Sequence, residues 1–279
     1  MHRERSPAQK GVRMLARHRQ SLILQAVRND GSARVSDLTQ RLGVSDMTIR
    51  RDLEVLAREG LIEKVHGGAV MPGTSAGQEP ALDSKLTFAQ PEKADIARTA
   101  AALVRPGSAI ALTGGSTTFA LAQCLIDVPG LTIVTNSLRI SNLFTSRPDG
   151  TTVPVLTGGV PVLSDTLVGP VADLTIRSLR FDLVFTGCYG IDPDAGLTTP
   201  NLAEAETNRA FIRAGRRLVV LADHTKWGVT SLSSFASLSE VAVLVTDDML
   251  RPEAVDQARE HVGEVMVAAS LHAIPARTA

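Results

Sequence analysis

The sequence is poor in the features that would place it in several large classes. It has two cysteines in 279 residues, Cys124 and Cys188, with no CxxC pair and no Cys/His cluster. That excludes a disulfide framework and a structural zinc site, and it fits a reducing cytoplasm. Aromatic residues make up 3%, too few for the stacking platforms that read single-stranded nucleic acid. No apolar run approaches the roughly 18 residues of a membrane-spanning helix, so no membrane partner is expected. The leading MHRERSPAQKGVRMLARHRQ is basic without an apolar stretch behind it, so it does not read as a secretory signal. No stretch recurs at the period of about 20 to 50 residues that marks repeat proteins. Net charge is also missing: 29 Lys plus Arg face 29 Asp plus Glu.

The zero is the sum of two unequal parts. Residues 1–71 carry 13 basic and 8 acidic side chains, a net +5; residues 72–279 carry the other 16 and 21, a net −5. Such asymmetry points to nucleic-acid interaction by the front end. Residues 1–17 form a basic arm. Residues 18–71 alternate short helices with a hairpin. Leu22, Ile23, Ala26 and Val27 give RHRQSLILQAVRND one apolar face, and Gly31 stops it. In VSDLTQRL, Val35, Leu38 and Leu42 share a face and Ser36 is available as a cap. Gly43 then breaks the chain. SDMTIRRDLEVLAREG starts on an N-cap, Ser45, buries Ile49, Leu53 and Leu56, and stops at Gly60. LIEKVHGGAVM reads as two short strands around Gly67 and Gly68.

Two helices with a Gly turn make a helix-turn-helix. With its apolar stripe inward, the second helix leaves Ser45, Asp46, Thr48, Arg50, Arg51 and Asp52 for its outer face and flanks. Arg donates twice to guanine O6 and N7, and Thr touches a thymine methyl. Ser45 and the first helical amides suit a phosphate. In the hairpin, Lys64 and His66 stand beside Gly67 and Gly68, where bare backbone approaches a phosphate closely. The plainer alternative is a solvated face, with Asp52 and Glu54 beside the arginines.

Residues 72–90 are rich in Pro, Gly, Ser, Ala and Gln and read as a linker. From residue 91 to 279, apolar β-branched runs alternate with amphipathic helices. This is an α/β domain with a mostly parallel sheet covered on both faces. Small and polar residues gather at strand ends, where open α/β sheets bind ligands. SAIALT ends in Gly114, Gly115, Ser116, Thr117 and Thr118, with a helix starting there. LTIVT ends in Asn136 and Ser137, and TTVPVLTGG in Gly158 and Gly159. GLTT, with Thr198 and Thr199, precedes a helix carrying Glu204, Glu206 and Asn208, the last two expected to be solvated. RRLVVLAD ends in Asp223, with Lys226 three residues on. Amides and hydroxyls at a helix N-terminus favour an anion. No Lys follows the glycines, so this is no P-loop and no nucleotide cofactor is implied; no metal site is spelled out either. A polyol phosphate fits these ends. Taken singly, each Gly pair is also an ordinary turn, and Lys226 an ordinary partner of Asp223.

VSDLTQRLGVSDMTIRRDLEVLAREGLIEKVHGGAV resembles the N-terminal winged helix of the DeoR family of bacterial transcription regulators, in TIRRDL, in the LxxxG after it and in the HGGA of the wing. By that resemblance Ser45, Thr48, Arg50 and Arg51 match the recognition helix, and His66, Gly67 and Gly68 the wing. Residues 91–279 resemble the family's sensor domain in GGSTT, VTNS, LTGG, GLTT with EAE, and ADHTKWG. The resemblance implies a fold similar to sugar-phosphate isomerases and deaminases, a phosphorylated-sugar effector, and repression as the family habit; His224 and Asn208 depart from many relatives. The expected protein is a non-enzymatic, cytoplasmic repressor of a carbohydrate operon. Its expected partners are double-stranded operator DNA, a sugar phosphate and further copies of itself, as dimer or tetramer. Two other readings stand beside it: a sugar-phosphate isomerase or deaminase using Glu204, Asp223 and Lys226, and a regulator whose rear domain is only an oligomerisation platform.

Overall fold

The computed structural model describes residues 16–30, 32–59, 61–65, 67–70, 89–146 and 152–270. The chain divides into two units, Met1–Pro72 and Gly73–Ala279. Most of the basic arm and the linker, the proposed helix stops Gly31 and Gly60, and His66 lie outside the described residues.

The first unit runs α1 (Ala16–Asp30), β1 (Ser32–Arg34), α2 (Val35–Leu42), α3 (Asp46–Arg58), β2 (Glu63–Val65) and β3 (Gly68–Val70). The three strands form one antiparallel sheet in the order β1-β3-β2. Sequence reading missed β1, because three residues are too few to show a period. Ile23, Val27, Val35, Leu38, Ile49, Leu53, Leu56 and Ile62 meet in a single core. Each such side chain contributes about 1.5–3 kcal/mol by leaving water. Gly43 takes a φ of +63° between α2 and α3, a left-handed turn that disfavours any residue with a Cβ. Asp52 is a correction to the outer-face reading: it is 4% exposed. Its carboxylate accepts from Arg19 Nε at 2.5 Å and from Gln20 Nε2 at 3.0 Å, pinning α3 to α1.

The second unit begins with α4 (Gln90–Ala101), β4 (Ala109–Leu112), α5 (Ser116–Cys124), β5 (Thr132–Thr135), α6 (Leu138–Thr145) and β6 (Val155–Leu156). Next come β7 (Val160–Pro161), β8 (Leu167–Val168), α7 (Pro170–Arg177), β9 (Leu183–Thr186), β10 (Gly190–Asp192) and β11 (Gly196–Thr199). The chain continues as α8 (Leu202–Ala214), β12 (Leu218–Leu221), β13 (Ser233–Ala236), β14 (Val241–Asp247), α9 (Pro252–His261) and β15 (Val265–Ala268). Seven strands, in the order β15-β14-β12-β9-β4-β5-β6, form one sheet whose neighbours all pair in parallel.

Period-two alternation builds the two faces of that sheet. Ile110, Leu112, Ile133, Leu183, Phe185, Val219, Leu221, Val243 and Val245 turn to one side and pack on α4, α5 and α6. Ala111, Val134, Val184, Val220 and Leu244 turn to the other, against α7, α8 and α9. The order reverses at the β4/β9 pair: from β4 the chain fills the sheet through β5 to β6, then returns to β9 on β4's other side. That is the place where an open α/β sheet opens a crevice at its carboxyl ends.

Three sequence readings change here. The TTVPVLTGG strand shrinks to Val155–Leu156. GLTT is a strand, β11, in a separate antiparallel sheet with β10 and β13. Asn208 is buried on α8 at 5% exposure, whereas Glu206 is exposed as expected.

Candidate DNA-reading face and effector site

On the first unit, Ser45 caps α3: its Oγ accepts from the Thr48 amide at 3.3 Å and sits 2.9 Å from Thr48 Oγ1. Arg50 and Arg51 are both exposed on the first turns. Arg50 Nε donates to Asp46 Oδ1 at 2.5 Å, a half-exposed i, i+4 pair that DNA can compete away. Met47 is 77% exposed on the same turn. An exposed apolar side chain there suits a thymine methyl; sequence reading did not single it out.

Lys64 on β2 pairs with Glu54 at 3.0 Å. That hydrogen bond and the Lys64 charge hold the Glu54 carboxyl below its ordinary value. Gly67, at φ +83°, is exposed at the wing tip. Its carbonyl accepts from the Val35 amide at 2.9 Å, which ties the wing to the start of α2; Gly68 follows as the first residue of β3. Ser45, Thr48, Arg50 and Arg51 therefore share one exposed helix start, with Lys64, Gly67 and Gly68 on the neighbouring hairpin.

On the second unit, the predicted residues fall into groups. Gly114, Gly115, Ser116, Thr117 and Thr118 turn from β4 into α5, whose N-terminus has no side-chain cap. Its first amides thus lack intrahelical partners. Gly114 is required by contact: a Cβ there would stand 1.9 Å from Thr166 Cγ2. Asn136 is buried, and both ends of its amide are engaged. Its Oδ1 accepts from the Gly114 amide at 2.9 Å, and its Nδ2 donates to the Leu167 carbonyl at 3.1 Å. Ser137 caps α6 by accepting from the Ile140 amide. Asn136 and Ser137 thus shape the loop that presents Gly115, Ser116 and Thr117.

Gly158 and Gly159 turn between β6 and β7 with positive φ. Thr198 and Thr199 sit on β11, outside the parallel sheet, and the Thr198 carbonyl accepts from the amide of Tyr189, just after β9, at 3.0 Å. Thr198 Oγ1 donates to the Gly190 carbonyl and accepts from the Ser231 amide; Thr199 donates to Glu204 Oε2 at 3.3 Å.

The densest chemistry lies after β9, β12 and β14. Asp223 is 2% exposed and accepts from the Thr225 amide and hydroxyl, while its Oδ2 is buried without a hydrogen-bond partner. Burial alone would push this carboxyl up. Lys226, then Lys93, the Thr225 hydrogen bonds and His224 outweigh burial and hold it below its ordinary value. Lys226 Nζ stands 6.0 Å from the Tyr189 ring centroid.

His224 is gripped by Asp247: the His224 amide donates to Oδ2 at 2.7 Å, and Nδ1 lies 2.9 Å from Oδ1. Burial would lower the His224 value, but the Asp247 hydrogen bond and charge, with Asp223 and Glu92, raise it above the ordinary one. Burial pushes the Cys188 thiol up to about 12, against Lys226 and with Asp223, so it is no nucleophile near neutral pH.

Sequence reading missed Glu92, Lys93, Tyr189 and Asp247. Asp247 ends a strand, VAVLVTD, and the strand-end rule applied to β14 would have found it. Lys93 is buried at 5% exposure on the first turn of α4. Its position on an apolar helix face was the available signal.

A model of the DeoR-like helix-turn-helix domain matches residues 19–75, and one of the DeoR C terminal sensor domain matches residues 89–248. The uncharacterized HTH-type transcriptional regulator YgbI of Escherichia coli K12 is 37% identical over 246 residues, 88% of this chain and 94% of that protein. The glycerol-3-phosphate regulon repressor of the same strain is 34% identical over 226 residues, covering 81% and 88%. The putative aga operon transcriptional repressor of Escherichia coli O157:H7 is 28% identical over 250 residues, covering 89% and 93%. Among solved structures, ribose 5-phosphate isomerase A of Methanocaldococcus jannaschii covers 48% of this chain and 53% of its own, at 17% identity and a TM-score of 0.35; a likeness that remote bears on neither fold nor function. With both domain models matched in order and a regulator 37% identical along nearly its whole length, the chain belongs to the DeoR family of DNA-binding transcriptional regulators.

Proposed function

We propose that this regulator represses a carbohydrate-metabolism operon, and that a phosphorylated sugar bound at the carboxyl ends of the parallel strands sets its occupancy on DNA. α3 enters the major groove, where Arg50 and Arg51 donate to guanine edges and Thr48 meets a thymine methyl. Ser45, Lys64 and Gly67 track the phosphates and fix register, whereas Gly68 is buried at the start of β3 and makes no such contact. Repression and the carbohydrate pathway follow the named relatives, one a glycerol-3-phosphate regulon repressor and one a putative aga operon repressor.

The observation that carries the effector half is a buried carboxylate, Asp223, with Lys226 and Lys93 acting on it at a strand end of the same sheet edge as the uncapped α5. Carboxylates take hydroxyl protons, while lysines and bare amides take the phosphate. A ligand shifts DNA occupancy only through different affinities for the two states. A homo-oligomer, dimer or tetramer, sets two heads on paired half-sites, and the protein works in the cytoplasm beside its operator. The relatives are regulators rather than enzymes, and the protonated Cys188 offers no nucleophile.

The test recovers the operator from random DNA, then titrates it against glycerol 3-phosphate and a panel of phosphorylated pentoses, hexoses and amino sugars. One compound is expected both to stabilise the protein, by about 2.7 kcal/mol at 100 times its dissociation constant, and to change DNA affinity. A panel with neither effect refutes the effector half. Specific binding that survives removal of residues 1–71 refutes the DNA half.

A further inference from the structure

His224 stands where its proton changes the sign of the strand-end cluster. Asp247 on β14 holds both its backbone amide and its Nδ1, at 2.7 and 2.9 Å, so the backbone is anchored to the same carboxylate that fixes the ring. Its Nε2 is buried and has no hydrogen-bond partner among the described residues, and the same is true of Glu92 Oε2 on α4 and Asp223 Oδ2 beside it. Asp247 on β14, Asp223 on its own turn and Glu92 on α4 face it with negative charge, and Lys226 on that turn and Lys93 on α4 act on Asp223 beside it.

That is three carboxylates against two lysines. With His224 neutral the cluster carries a net −1 and repels an anion. Protonating His224 removes that excess negative charge, so an incoming anion meets the imidazolium and Lys226 with less repulsion. Asp223, Asp247 and Lys93 are buried, so this one charge is screened less than it would be at an open surface.

We propose that His224, clamped by Asp247, is a proton-dependent third cation of the effector site, so that affinity for a dianionic ligand falls as His224 loses its proton. The proposal rests on the effector reading above and adds a property to it: the regulator answers its ligand more strongly at lower pH. Burial would lower the His224 value, but Asp247, with Asp223 and Glu92, raises it above that of an ordinary imidazole, so the response persists to a higher pH than a free histidine would give.

The experiment uses the full chain and sulfate, which stays a dianion between about pH 5.5 and 8.5, so that any pH dependence belongs to the protein. The imidazole signals are followed by NMR with sulfate and with sodium chloride at matched ionic strength. His224 is identified as the signal lost in His224→Asn. Saturating sulfate is expected to raise the His224 midpoint by about one pH unit, the reciprocal of roughly tenfold tighter binding to the protonated form. The exposed His261 is expected not to move.

If His224→Asn does not fold, sulfate melts of the unaltered chain at low and high pH read the same coupling, with about tenfold weaker binding at high pH. A sulfate melt shift that is lost in Lys226→Ala but leaves the His224 midpoint unmoved overturns this inference alone. No sulfate melt shift at all overturns it together with the anion site on which it rests.

Discussion

The two units of this chain put charge to opposite uses. In the first, the buried charge is architecture. Asp52, with Arg19 and Gln20 on it, is a bolt between α1 and α3, and the exposed Arg50, Arg51 and Lys64 face solvent, where DNA would come. In the second, the exposed charge is plain surface, such as the solvated Arg259–Asp256 pair. There the buried charge gathers near strand ends, and atoms of Asp223, His224 and, on the first turn of α4, Glu92 have no hydrogen-bond partner among the described residues. A rigid polyanion is read by what protrudes; a small ligand is held by what is enclosed. The zero net charge of the whole chain conceals this division of labour.

The comparison breaks most easily at Asp52. Asp52→Ala leaves Arg19 at an α1–α3 contact without its carboxylate. Losing one partner of a buried pair costs about 3–5 kcal/mol, a large share of a small domain's stability. Calorimetry of the full chain is expected to show the head transition falling sharply and the sensor transition staying in place. A head that melts unchanged would mean that Asp52 is not a bolt.

The next largest effects fall on DNA affinity. Arg50→Ala and Arg51→Ala are each expected to cost about 1–3 kcal/mol of specific binding, some 5- to 150-fold by fluorescence anisotropy, and to relax the preference at one base pair. Neither should shift the melting of either unit. Equal losses on every DNA sequence would assign both arginines to phosphate instead.

Smaller and opposite are two pH slopes in the sensor. Asp223 is held below its ordinary value. Its stabilisation is therefore present above the unfolded carboxyl value and is lost as pH falls through the lower folded one. His224 is raised, so its contribution is full below the unfolded imidazole value and fades as pH climbs through the folded one. Melts of the sensor in Asp223→Asn and His224→Asn should each flatten the corresponding limb only. A limb that keeps its slope would clear that residue of the role.

The legibility of the chain in its sequence follows the same division. Most of the head was legible, because α3 shows an apolar stripe and an N-cap within one short stretch, although β1 was too short to show a period and Gly60, the expected stop, lies outside the described residues. Ser36, expected as a cap, lies inside α2, which starts at Val35, and Asp52 was misplaced. Asp52 sits beside Leu53 at the edge of the stripe, and its partners lie 33 and 32 residues away. The parallel sheet was legible from its apolar runs, although β10, β11 and β13 were not. Their pairing is set by tertiary contacts such as Gly190 closing on Val229 rather than by any local period. The strand-end cluster was half legible. Asp223 and Lys226 share one turn, but Lys93 and Asp247 join them only because α4 crosses the sheet to β12 and β14, and no sequence spacing encodes that.

The smallest expected effect separates the two kinds of charge most cleanly. Lys64 and Glu54 form a pair 3.0 Å long with both side chains roughly half exposed. A solvated pair of this kind contributes about 0–1 kcal/mol to stability and fades with salt. Lys64→Ala should therefore leave the head's melting nearly unchanged. If Lys64 lies on a phosphate in the complex, the same change removes one counterion-releasing contact and lowers the salt slope of DNA binding by about one unit. Glu54→Gln should act in the other direction, because it releases Lys64 from the carboxylate that competes with DNA: affinity rises slightly and stability again barely moves. A Lys64→Ala protein that loses stability while keeping its salt slope would place this exposed lysine with the buried Asp52 as a structural charge, and the contrast between exposed and buried charge within the head would fail there.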